Sequence, residues 1–130
     1  MGKRSTGRRL AMQILYQMEI GHASFEEACE AAFVNTDYIT ATRDFAAHCA
    51  EQVWAHKEDI DPVIDKYSKG WKIDRINIID KSILRLAVYE LLHGKELPKG
   101  VIIDEAVELA KKFSDPDAAK FVNGILGNIE

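Results

Sequence analysis

DRINIIDKSILRLAVYELLH, residues 74–93, decides the fold class. Its apolar residues Ile76, Ile79, Ile83, Leu84, Ala87, Val88, Leu91 and Leu92 recur at spacings of three and four, the period of a helix face. They crowd closely enough to predict the most buried helix of the protein, closed by Gly94 and Pro98. Downstream, Ile103, Ala106, Val107, Ala110 and Phe113 resume the stripe between Val101 and Phe113. Asp104 and Glu105 lie early in that segment and Lys111 and Lys112 late, in keeping with the helix dipole. Asp115 then caps a last helix with Pro116 at its first position, and Phe121, Val122, Ile125 and Leu126 turn inward or toward a partner.

Upstream the same spacing continues. Leu10, Ala11, Ile14, Leu15 and Met18 form a first stripe ended by Gly21. Ser24 with Glu27 three residues on is a capping-box pattern ahead of Phe25, Ala28, Cys29, Ala32 and Phe33. A third helix begins near Thr40 or Thr42, carries Phe45, Ala46, Cys49, Val53 and Trp54, and is expected to end or bend before Pro62. Asp61-Pro62 is expected to open a fourth helical piece running to Tyr67 before Gly70. No strand-like alternation persists and no period repeats, so the fold class is all-α, with six or seven helices. At 130 residues and 47% apolar content, a single compact domain over 1–130 is expected.

The net charge is −4, but Lys3, Arg4, Arg8 and Arg9 place +4 in the first nine residues and leave −8 on the rest. A basic arm on an acidic body points to a localised polyanion contact; residues 1–6 are expected as a flexible part of that arm. The basic start leads into no apolar signal core, since Gln13, Gln17 and Glu19 interrupt the next stretch, and no run reaches membrane-spanning length. The expected location is the cytoplasm, with Cys29 and Cys49 as buried, reduced thiols.

His22, His48, His56 and His93 fall on separate elements without metal or triad spacing, and the eight glycines build no phosphate loop. The chain is therefore read as a non-enzyme needing no cofactor and no metal. What stands out is the first helix, where Arg8, Arg9, Gln13 and Tyr16 combine phosphate-fitting guanidinium groups, a base-reading amide and a ring able to stack on an unpaired base. By spacing alone Tyr16 reads first as a half-buried core aromatic.

Four blocks then carry a resemblance. Gly7-Arg8-Arg9-Leu10-Ala11-Met12-Gln13-Ile14-Leu15-Tyr16-Gln17 looks like the arginine-rich opening and Ala-x-Gln-x-Leu-Tyr helix of the NusB family of transcription antitermination factors. Ile83 to Leu91 is a close match, as are Ile103-Asp104-Glu105-Ala106 with Leu109-Ala110-Lys111-Lys112-Phe113, and Lys120-Phe121-Val122-Asn123-Gly124-Ile125-Leu126. Trp71, Asp74 and Arg75 match loosely. The resemblance implies seven helices in two helical sub-bundles and binding of single-stranded boxA RNA as a heterodimer with the ribosomal protein NusE, within transcription elongation complexes on ribosomal RNA operons. It implies RNA-binding roles for Arg4, Arg8, Arg9, Tyr16, Lys120 and Phe121, to which the charge and side-chain pattern adds Lys3 and Gln13, and it places Asp80, Phe113 and Asp117 at or near the partner and RNA surface, with Tyr16 expected beside the partner too. A weak homodimer of the free protein stays open. Gly7-Arg8-Arg9 and Asp104 depart from the family's commoner Ala-Arg-Glu and asparagine.

Two other classes compete. A NusB-like domain also precedes the catalytic domain of some RNA cytosine methyltransferases, but this chain carries no α/β segment or glycine-rich cofactor loop. A protein-binding adaptor anchored by Tyr16, Phe113 and Phe121 would differ from an RNA binder in being insensitive to salt.

Overall fold

The computed structural model describes residues 3–34, 40–94 and 97–129. Among them are seven α-helices and one 3₁₀ turn, with no strand: α1 Lys3–Ile20, α2 Phe25–Phe33, α3 Thr40–Ala55, α4 Lys57–Tyr67, the turn Ile73–Arg75, α5 Ile78–His93, α6 Lys99–Phe113 and α7 Pro116–Asn128. The chain divides into two compact units, Met1–Ala55 and His56–Glu130.

In the first unit α1 packs on α3 and α2. Leu10, Ile14 and Leu15 of α1 are buried together with Ala28 of α2 and Ala46, Cys49, Ala50 and Val53 of α3. The capping box at α2 forms as the sequence predicts: the Glu27 amide donates to Ser24 Oγ at 3.1 Å and the Ser24 amide to Glu27 Oε1 at 3.0 Å. Cys49 is buried as expected, whereas Cys29 is only half-buried. Burial, with Glu26 and Glu51 nearby, still pushes the Cys29 thiol above its usual range.

α1 begins at Lys3, inside the stretch assigned to the arm. Lys3 and Arg4 in its first turn work against the helix dipole, and a tertiary contact just beyond that turn supports the helix. Gly7 supplies the contact: it is buried, and a Cβ there would lie 2.4 Å from Cδ2 of Phe45, so the α3 ring occupies the space a side chain would take. Arg8, expected as a guanidinium offered to phosphate, is 3% exposed with its guanidinium carbon 5.6 Å from the Phe45 ring centre.

In the second unit α5 packs on α4, α6 and α7, and α6 packs along α7. Nine consecutive residues, Asp80 to Val88, are buried, which is more than two turns covered on every face. The predicted helix over 74–93 is shortened at its start. Asn77 caps α5 by accepting from the Asp80 amide at 2.9 Å, and the residues before it form the 3₁₀ turn. At the other end Leu91 is half-buried and Leu92 is 43% exposed, while His93 in the same turn meets the His56 ring, with centres 4.9 Å apart.

Pro62 also behaves differently from expectation. α3 ends at Ala55, and α4 has already begun at Lys57, so Pro62 lies inside α4 instead of opening it. The bond it forfeits is the one to the carbonyl of Glu58, an exposed first-turn residue, where water can substitute. Asp61, not needed as a cap, turns to Arg85. Asp115 and Pro116 begin α7 as predicted, with Asp115 Oδ1 accepting from the Ala118 amide at 2.7 Å. Lys99 Nζ donates to the carbonyl of Ile129, joining the start of α6 to the end of α7.

Candidate nucleic-acid and partner interface

The predicted site residues separate between the two units. In the first, Arg9, Gln13 and Tyr16 are half-buried and succeed one another along α1 at spacings of four and three, so they share a face. That face opposes the buried row of Leu10, Ile14 and Leu15. Arg8 does not join it, being turned to Phe45. Tyr16 is half-buried, as its core-aromatic reading expects. The side chains of Lys3 and Arg4 lie outside the described residues.

In the second unit Asp80, Asp117, Lys120 and Phe121 come together around a residue the sequence offered only as a loose match, Trp71. Trp71 is 55% exposed, and its ring meets Phe121 edge-on, with centres 6.4 Å apart. These two rings form the common wall of two adjacent clefts.

The first cleft, about 360 Å³, is acidic, with Asp80, Asp115 and Asp117 around it and Arg75 as its one lining cation. Asp80 comes three residues after Asn77 at the start of α5. Its Oδ2 accepts from Asn77 Nδ2 at 3.0 Å, while Oδ1 is buried without a hydrogen bond of ordinary geometry. Burial raises the Asp80 carboxyl above the usual carboxylate range and Asp115 adds to the rise; Ser114 and Asn77 pull the other way. Asp117 is exposed in the first turn of α7. Such a cleft is suited to a cationic group such as a guanidinium.

The second cleft, about 270 Å³, has no carboxylate in its lining and contains Lys69 and Lys120 with Tyr67 and Asn128. Phe113, predicted beside the partner, is half-buried at the end of α6 and lines neither cleft. Among the described residues no group of three or more His, Cys, Asp or Glu side chains could hold a metal ion, and no helix is long and apolar enough to cross a membrane.

The NusB family model matches residues 5–130. A transcription antitermination protein NusB from Acetivibrio thermocellus is 42% identical over 129 residues, spanning 99% of this chain and 88% of that protein. NusB of T. maritima superposes with a TM-score of 0.86 at 32% identity, over 98% of this chain and 89% of its own. A crystal structure of antitermination factors NusB and NusE in complex with double-stranded RNA gives 0.81 at 30% identity, over 98% and 95%.

Proposed function

Because the chain belongs to the NusB family, we propose that it works in transcription antitermination by binding boxA-type RNA jointly with NusE. The role is regulatory and non-catalytic, with the cytoplasm as its setting and the two helical units serving one functional domain. The observation that carries the reading is the pairing of opposite clefts around Trp71 and Phe121. One offers carboxylates to a cationic partner and the other offers lysines to phosphate.

Charge gives the reason for a composite reader. Phosphate contacts dominate RNA affinity, and a body carrying −8 outside its first nine residues repels phosphates that stray from its basic groups. A basic ribosomal protein seated against Asp80 and Asp117 would neutralise that surface and lengthen the positive track. Arg9, Gln13 and Tyr16 on α1, with Lys120 and Phe121 on α7, are the residues we assign to RNA.

The test is a thermodynamic square: RNA affinity with and without NusE, and NusE affinity with and without RNA, at one salt concentration. Each ligand should tighten the other by the same factor, roughly 5- to 150-fold. Equal RNA affinity in both arms would remove the composite reader.

A further inference from the structure

We propose that Trp71 is a fixed stacking platform for one unpaired nucleotide, with Lys69 and Lys120 holding its flanking phosphates. This rests on the proposed RNA-binding function and adds Trp71 and Lys69 to the residues it assigns to RNA.

Trp71 is a large aromatic held out into solvent by a built loop. Buried Ser68 donates its hydroxyl to the carbonyl of Trp71, and the Trp71 amide donates back to the Ser68 carbonyl at 3.2 Å. Asp65 Oδ1 accepts from the Ile73 amide at 2.8 Å, which fixes the chain on the far side of the ring. Between these anchors Lys69 has φ +49° and Gly70 φ +96°. A left-handed lysine is an uncommon conformation with a steric penalty, and such residues gather at ligand sites. The loop thus presents Trp71 and Lys69 together on one cleft.

The cleft's chemistry selects the occupant. Its walls are the rings of Tyr67, Trp71 and Phe121, its charges are Lys69 and Lys120, and Asn128 adds an amide able to meet a base edge. Aromatic faces interleaved with cations are the elements of single-strand recognition. An apolar segment of a protein would leave both lysines without counter-charges, and a duplex would keep its base faces stacked away from the ring.

The experiment uses the full chain and a boxA-type single-stranded oligoribonucleotide, with NusE present. Stacking should quench the Trp71 emission; the chain has two tryptophans, so a Trp71→Phe variant, reporting Trp54 alone, should lose that quenching while keeping most of its affinity. Trp71→Ala should weaken RNA binding by roughly 5- to 150-fold. Lys69→Gln and Lys120→Gln should each flatten the salt dependence by about 0.7 in the log–log slope. Normal RNA binding with unchanged Trp71 emission overturns the platform alone. Emission that responds fully to NusE and no further to RNA assigns the cleft to the partner and overturns it as well. Absence of RNA binding by the unaltered protein with NusE removes both this proposal and the function beneath it.

Discussion

Arg85 grips Asp61 with two parallel hydrogen bonds, Nε to Oδ1 and Nη2 to Oδ2, each 2.9 Å. The arginine side chain is 8% exposed and the aspartate 24%, so the pair lies largely out of water. Removing one partner leaves the other charge buried. Arg85→Ala or Asp61→Ala should each lower stability by about 3–5 kcal/mol, whereas joint replacement by apolar residues of similar size should recover much of that loss. Urea unfolding of the two single variants and the double replacement checks this. Single losses under about 1 kcal/mol would reduce the pair to an ordinary surface bridge.

Leu84 and Leu92 test how far the buried stretch of α5 extends. Leu84 is fully buried, and Leu84→Ala should lower stability by about 2–5 kcal/mol through lost burial and a residual cavity. Leu92, 43% exposed on the last turn, should tolerate alanine within about 0.5 kcal/mol. Equal losses at the two positions would contradict the burial pattern.

Arg8 and Arg9 are adjacent in sequence and differ in burial, Arg8 being buried and Arg9 half-buried. Arg8→Ala should lower the unfolding midpoint by removing the group packed on Phe45. Arg9→Ala should weaken RNA binding with a shallower salt dependence. Gly7→Ala should behave like Arg8→Ala: a helical glycine replaced by alanine ordinarily gains up to about 1 kcal/mol, but the approach to Phe45 should reverse the sign, with a loss of about 1–3 kcal/mol. A stabilised Gly7→Ala protein would mean that the ring moves aside freely.

Asp80 predicts a pH dependence of definite sign. Its carboxyl is raised in the folded protein, mainly by burial, so its contribution to stability is fully present below the unfolded value and is lost as pH rises through the folded one. Asp80→Asn should therefore gain stability relative to the unaltered protein at neutral pH, and the gain should shrink as pH falls through the raised value. A cation docked on Oδ1 favours the ionised form, so NusE affinity should weaken over the same descent, before ordinary carboxylates titrate, and Asp80→Asn should lack that step. A stability difference that is flat with pH would refute the assignment.

Much of the architecture was legible in local chemistry. Caps at Ser24 and Asp115 announce themselves because a side-chain oxygen must satisfy an amide within three residues, and that requirement is written in consecutive letters. Arg8 and Gly7 were not legible in this way, because their surroundings are set by Phe45, thirty-seven positions beyond Arg8, and no local pattern reports such a contact. Pro62 misled for a related reason: its preference for a helix's first position is real, yet the exposed Glu58 carbonyl made an inner position tolerable. Trp71 was the largest omission from the site. Its significance comes from the φ values of Lys69 and Gly70 and from the approach of Phe121 on α7, and none of these is periodic.

The bond from Lys99 to Ile129 spans thirty residues and fastens the first turn of α6 to the residue that ends α7. Two antiparallel helices joined by a short connection are already tied at one end; a second tie at the other makes fraying of either terminus alone less accessible. In native-state hydrogen exchange the amides of α6 and α7 should then share one opening free energy and exchange as a single cooperative block, with the helix ends protected nearly as well as their middles.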